Sequence, residues 1–174
     1  MATSFPLFPP CKVDDRTANV TKTHFEGRIA HDPVLPEAVI YIVDGPIGLE
    51  AYRRPIPPNC GAVVEFSGIV RATEEGHHIA GIDYEAFREM AHAEMRCIAQ
   101  EVIDRYALAD LVCVHRIGYV LVGEAAVYVR TAARHRQAAY EANMEYIERL
   151  KQTVPIWKHP RMIGHPVAEI NNPD

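Results

Sequence analysis

The sequence predicts an α+β fold with two long helices packed on a largely antiparallel sheet. Two segments carry apolar residues at helical spacing, and β-branched runs typical of strands precede, separate and flank them. The order shows no regular strand–helix alternation, so a parallel α/β sheet is not indicated. With 48% hydrophobic residues in 174, the chain suits one compact domain. We place this domain at 37–174, after a proline-containing extension at 1–36 that has no sustained period.

The first strands are predicted from β-branched runs that end at glycine or proline. "AVIYIVDGP" (38–46) and "GAVVEFSGIVR" (61–71) both have this form. Gly68, inside the second run, predicts a β-bulge or a close approach to the backbone. The polar segment 72–78 predicts a loop, and the alternation in 79–86 predicts a half-buried strand.

The first helix is predicted from Arg88 to Tyr106, because apolar residues recur there at steps of three and four. The segment 111–133 then predicts two or three strands, whose closeness in sequence favours antiparallel hairpin pairing. The apolar positions of the first helix are Ala91, Met95, Ile98, Val102 and Tyr106.

The second helix is predicted from about Arg134 to near Thr153. Pro155 disfavours helical geometry at the residue before it and so sets the end. Its core-facing positions are predicted to be Tyr140, Met144, Ile147 and Leu150.

Composition excludes several classes of function. The formal net charge is -5 with a pI near 6.0, and no long basic run occurs, so a nucleic-acid partner is not expected. No apolar stretch could span a membrane and no secretion signal is visible, so we expect a cytoplasmic protein without membrane contact. The 4 cysteines lack CxxC spacing, which fits a reducing compartment. No metal site is predicted, because no set of ligands has convincing spacing.

Basic residues cluster at the start of the second helix. Arg134, His135 and Arg136 lie where free backbone N–H groups and the helix dipole already favour an anion. The cluster predicts phosphate or carboxylate binding, and solvated charge at a helix end explains it equally well. Arg71, at the end of its strand, could also reach a bound phosphate.

Two lysines bracket the segment that ends this helix. Lys151 is predicted beside the core-facing stripe, where partial desolvation would suit acid–base or nucleophilic chemistry, although a lysine snorkelling at the core edge is the alternative. Lys158 follows Trp157, which we interpret as a packing anchor in the core. Pro155 between them should turn the chain back, so that Lys158 approaches Lys151.

Helix length constrains how these clusters combine. Arg136 and Lys151 are 15 residues apart on one helix, which corresponds to roughly 22 Å. One small ligand cannot contact both within a single chain. If both clusters serve one site, a second copy must complete it, so a symmetric dimer with shared sites is predicted.

The ordered set "GAVVEFSGIVR", "YEAF" with "MAHAEM", "VCVHRIGYVLVGEAAVYV", "AARHRQAAYEA" and "YIERLKQTVPIWKHP" resembles the large, catalytic subunit of molybdopterin synthase over about residues 38–160. The resemblance implies an α/β-hammerhead-type fold and a sulfurtransferase of molybdenum cofactor biosynthesis. Its substrate would be cyclic pyranopterin monophosphate. The sulfur would come from the C-terminal Gly-Gly thiocarboxylate of a small ubiquitin-like subunit. The implied assembly is a homodimer of large subunits within a heterotetramer.

The resemblance also implies roles for individual residues. Lys151 and Lys158 would be catalytic, beside the incoming thiocarboxylate. Bacterial members often carry a lysine where Ile69 stands here. No cofactor and no metal are implied, because the pterin is the substrate and the nucleophile belongs to the partner. The implied substrate-binding residues are Arg71, His135, Arg136, Ile69, Val70, His159 and Pro160.

Two other functions remain open from the sequence. An enzyme that forms a Schiff base between a lysine and a phosphorylated carbonyl substrate would use the same residues, Lys151 or Lys158. A non-catalytic scaffold would only bind the tail of a ubiquitin-like partner, and would tolerate Lys151→Ala.

Overall fold

The computed structural model describes residues 37–166, and within them the predicted α+β class with two long helices is confirmed. The expectation of an irregular extension at 1–36 lies outside the described residues. In chain order the elements are β1 (Glu37–Val43), a short 3-10 helix (Leu49–Tyr52), β2 (Ala62–Ile69), β3 (Thr73–Glu74), β4 (His77–Ala86), α1 (Arg88–Tyr106), β5 (Asp110–Arg116), β6 (Gly118–Leu121), β7 (Ala125–Ala133), α2 (Arg136–Thr153) and β8 (Ile156–Pro166).

The strands form two sheets. The first has the order β1-β5-β7-β2, in which β1 runs parallel to β5 and the other neighbours are antiparallel. In the second, β4 pairs antiparallel with β3, β6 and β8. The largely antiparallel character is as predicted. The parallel β1–β5 pair joins segments far apart in sequence, so no local pattern indicated it.

Two strand predictions need correction. Within 111–133, β5 and β7 pair antiparallel as expected, but β6 leaves them and joins β4 in the second sheet. The polar segment 72–78 is part of a β-hairpin, not a simple loop. Its turn residues Glu75 and Gly76 have φ values of 50° and 79°, the positive pair typical of a two-residue hairpin turn.

Helix α1 begins and ends where the sequence predicts and buries the expected face. Of the five predicted apolar positions, Ala91, Met95, Ile98 and Val102 are completely buried. Ala107 follows in the left-handed conformation, and its N–H bonds the carbonyl of Ile103. Helical periodicity therefore located this element and its inner face correctly.

Helix α2 buries only part of the predicted face: Leu150 is 6% exposed and Ile147 packs against the hydrophobic core, as predicted. Tyr140 and Met144 are 65% and 60% exposed, so the prediction that they face the core is wrong. Small alanines on the inner face let the helix lie close to β7 and β2, and Asn143 donates to the carbonyl of Val129 at 3.3 Å. The buried positions are Ala139, Ala142, Asn143, Tyr146, Arg149 and Leu150.

Both helices cover one face of the first sheet and form the main core with it. A smaller apolar cluster lies beneath the second sheet, built from Val70, Ile79, Ile82, Val120 and Ala126. In residues 37–166 no helix is both long and apolar enough to span a bilayer. Among the described residues, Cys60 and Cys113 are free thiols.

Candidate functional site

A cavity of about 740 Å³ opens where the two sheets and the end of α2 meet. We call it the basic cavity, because three cationic side chains line it: Arg71, Lys151 and Lys158. The rest of its wall is formed by residues of β2, β4, β5, β7 and β8. The other lining residues are Phe66, Ser67, Gly68, Ile69, Val70, Glu74, Ile82, Tyr84, His115, Ala126, Val127, Leu150 and Ile156.

A β-bulge shapes the wall that carries Arg71. The β2–β7 register shifts between Gly68 and Ile69, as the glycine predicted. A Cβ atom on Gly68 would lie 2.6 Å from Cγ1 of Val127, so a larger residue would collide with β7. After the bulge, Val70 is buried, whereas Arg71 is exposed at the cavity.

The turn after α2 brings the two lysines to one cavity, as predicted. Helix α2 ends at Thr153, the N–H of Val154 bonds the carbonyl of Leu150, and β8 starts at Ile156. Lys151 and Lys158 then both line the basic cavity. The proline therefore acts here by ending the helix, which lets the next residues enter the second sheet.

Two expectations about this turn are wrong. Trp157 is 47% exposed and packs edge-on against Phe87 with ring centroids 5.6 Å apart, so it is no core anchor. Val154, 7% exposed, fills that role instead. Lys151 is exposed, not partly desolvated, because α2 turns its neighbour Leu150 inward.

Glu74 is a cavity residue that the sequence did not single out. Its Oε1 accepts a hydrogen bond from Nζ of Lys158, and its Oε2 lies 3.4 Å from a terminal guanidinium nitrogen of Arg71. The hydrogen bond from Lys158 is the main reason why the pKa of Glu74 is lowered. The carboxylate therefore stays charged between two cations. The only local signal was its place in a polar segment beside Arg71.

His115 and Tyr84 form the inner wall of the cavity. The Nδ1 of the buried His115 lies 2.9 Å from the carbonyl oxygen of Arg116. Because a carbonyl only accepts, Nδ1 carries the hydrogen, and the neutral ring has its lone pair on Nε2. Burial lowers the pKa of His115, which favours this neutral form. Tyr84 packs edge-on against it at 5.5 Å between ring centroids, and burial raises the pKa of Tyr84.

The other predicted binding residues lie outside this cavity. His135 is the N-cap of α2 and Arg136 its first residue; both are exposed, and the first turn has no acidic residue. They lie at the opposite end of the helix from Lys151, as helix length required. On β8, His159 lies 3.7 Å from the carboxylate of Glu85, and Pro160 is the register partner of Ile82.

Among residues 37–166, no three or more His, Cys, Asp or Glu side chains converge as a metal site would need.

Comparison with known proteins identifies the family. The sequence model of the MoaE protein family matches residues 42–153, well over half of the chain. The chain belongs to the MoaE protein family. The matched region includes α1, β5, β6, β7 and α2 in full. It also includes the cavity residues Arg71 and Lys151.

Individual MoaE relatives agree with this assignment. The chain is 43% identical over 98 residues to the molybdopterin synthase catalytic subunit of Bacillus subtilis, covering 56% of this chain and 62% of that relative. It is 40% identical over 118 residues to the corresponding subunit of Staphylococcus epidermidis, covering 67% of this chain and 79% of that relative. Among solved structures, molybdopterin synthase from Staphylococcus aureus matches with a TM-score of 0.65 at 36% identity, covering 72% of this chain and 96% of that one.

Proposed function

We propose that this MoaE chain is the catalytic subunit of a molybdopterin synthase. It transfers sulfur from the C-terminal thiocarboxylate of a small ubiquitin-like subunit to cyclic pyranopterin monophosphate, and forms the dithiolene of molybdopterin. The observation that carries the proposal is that Arg71, Lys151 and Lys158 line one cavity in a chain of this family. The relatives named as catalytic subunits of that synthase support it.

The cationic residues suit the chemistry of this reaction. The substrate is a phosphorylated anion, and attack by sulfur develops negative charge on oxygen, which nearby cations stabilise. Lys151 at the end of α2 and Lys158 on β8 are the catalytic residues of the proposal. Arg71, Ile69 and Val70 contact the substrate from the bulged end of β2. The attacking sulfur comes from the partner, so no cysteine of this chain has to act as a nucleophile.

A second copy of the chain completes the site. His135 and Arg136 lie at the far end of α2 and cannot reach the ligand that Lys151 contacts. We therefore assign them, as phosphate ligands, to the cavity of the other protomer in a symmetric homodimer. His159 and Pro160 lie on β8 directly after Lys158, where they flank the substrate. One small subunit on each protomer gives a heterotetramer, and no cofactor is required.

The decisive experiment mixes the full chain with thiocarboxylated small subunit and cyclic pyranopterin monophosphate and measures dithiolene product. We expect the Lys151→Ala variant to lose at least about a hundredfold in rate, the loss typical of removing a charge-stabilising or proton-transferring group. Gln152→Ala, at the exposed neighbouring position, is the matched control and should keep wild-type activity. Product from Lys151→Ala at the wild-type rate would refute the role of Lys151.

The Schiff-base enzyme and the scaffold predict results that differ from those of the synthase. A Schiff-base enzyme would be trapped by borohydride with its substrate alone, because the lysine itself bonds to the carbonyl carbon. The proposed synthase leaves the pterin unchanged until the thiocarboxylated partner is added. A scaffold would bind the small subunit and yield no product with any variant.

A further inference from the structure

The basic cavity contains an anion of its own. Glu74 places one carboxylate oxygen on the ammonium of Lys158 and the other 3.4 Å from the guanidinium of Arg71. Two cations that share one pair of oxygens are arranged as they would be around a bound phosphate or carboxylate. The Glu74 carboxylate thus stands where an oxyanion ligand of these two cations would bind.

Burial shows which partner is fixed. The side chain of Glu74 is 11% exposed, whereas those of Arg71 and Lys158 are 78% and 54% exposed. The carboxylate therefore lies in the wall, and the two long cationic side chains reach inward to it from the rim. Such side chains can turn to another anion without disturbing the core, because their charged ends remain solvated.

The backbone around Glu74 holds its side chain in the cavity wall. It ends β3, directly before the tight turn at Glu75 and Gly76, and is paired in register with His77. Its charge also acts on Tyr84 of β4, because it adds to the effect of burial in raising the pKa of Tyr84. The negative charge is thus a permanent part of the cavity.

We propose that Glu74 is a specificity-determining residue that occupies the anion position of Arg71 and Lys158 in the ligand-free protein. An incoming anion has to compete with this carboxylate for both cations. Anions that cannot contact both cations are rejected, and a ligand whose phosphate contacts both draws the two side chains away from Glu74. The inference rests on the proposed function only for the identity of the natural ligand.

The test measures binding of inorganic phosphate to the full-length chain at low ionic strength by calorimetry. Glu74→Gln keeps the shape of the side chain and removes its charge, and we expect its Kd for phosphate to be about tenfold lower than that of wild type. Glu75→Gln is the matched control, since it removes the same charge at the exposed neighbouring position. It should change the Kd less than about twofold. Equal Kd values for the two variants, or weaker binding by Glu74→Gln, would overturn the proposal.

A second measurement remains informative even if Glu74→Gln does not fold. In the wild-type protein, limited acylation with acetic anhydride followed by mass spectrometry should modify Lys158 several times more slowly than Lys151, because Glu74 holds its ammonium. Added phosphate should change the rate at Lys158 more than at Lys151. Equal rates at both lysines without phosphate would overturn the proposal. Neither experiment uses sulfur transfer, so failure here and failure of the synthase assignment are separately visible.

Discussion

Gly68 illustrates how a single residue sets the wall of the cavity. A methyl group at this position would lie 2.6 Å from Cγ1 of Val127, a side chain whose branching at Cβ restricts its movement. We expect Gly68→Ala to lower the free energy of unfolding by about 1–3 kcal/mol, as overpacking of a well-packed site does. Urea denaturation measures the change.

The clash itself can be tested by removing its partner. Val127→Ala in the same chain should recover part of the loss caused by Gly68→Ala, because the two positions contact each other. Gly45→Ala is the control, since a Cβ atom there meets nothing within 4 Å. Additive losses in the double variant would contradict the packing explanation.

Single residues of the site differ in how far the sequence predicted them. Arg71 and Lys151 were found because each stands near the end of a predicted element, and Lys158 because Pro155 was expected to turn the chain back toward Lys151. Glu74 and His115 were not, although both line the same cavity. Their importance comes from contacts across strands, such as the hydrogen bond from Lys158 to Glu74 between residues 84 positions apart. No local pattern carries such information.

At the scale of elements, α2 shows the limit of hydrophobic periodicity. Tyr140 and Tyr146 are the same residue type on one helix, yet the first is 65% exposed and the second completely buried. We expect Tyr146→Ala to cost about 3–5 kcal/mol of unfolding free energy, because it leaves a cavity and a lost hydrogen bond to the carbonyl of Met95. Tyr140→Ala should stay within about 0.5 kcal/mol.

Both variants can be compared by urea denaturation of the isolated chain at one protein concentration. Equal losses for Tyr140→Ala and Tyr146→Ala would contradict the observed orientation of α2. The misprediction has a physical reason: large apolar side chains suggested one face, but alanines allow closer approach to the sheet. Asn143 can then be buried on that face because Val129 and Thr131 bind its side chain.

At the scale of the whole molecule, the proposed shared site makes a prediction about mixed dimers. A dimer of one Arg136→Ala and one Lys151→Ala protomer contains one site with both losses and one intact site. Random reassortment of an equal mixture makes half of the dimers mixed, so we expect about a quarter of wild-type synthase activity. The measurement is dithiolene formation after the two inactive variants have been refolded together.

A matched mixture separates this arrangement from its alternative. Lys151→Ala and Lys158→Ala affect the same cavity of one chain, so every site in their mixed dimers lacks one lysine. That mixture should remain inactive. No recovery from the Arg136→Ala and Lys151→Ala mixture would mean that the two residues do not act in one shared site.

The sequence by itself determined the fold class, both helices with their approximate ends, the bulge at Gly68 and the three cations of the cavity. These follow from interactions between near neighbours along the chain, such as helical periodicity and the effects of glycine and proline. Only the tertiary structure decided the inner face of α2, the transfer of β6 to the second sheet, the exposed position of Trp157 and the carboxylate between Arg71 and Lys158. Each of these depends on which distant segments pack together, and that choice minimises the free energy of the whole molecule rather than of any one segment.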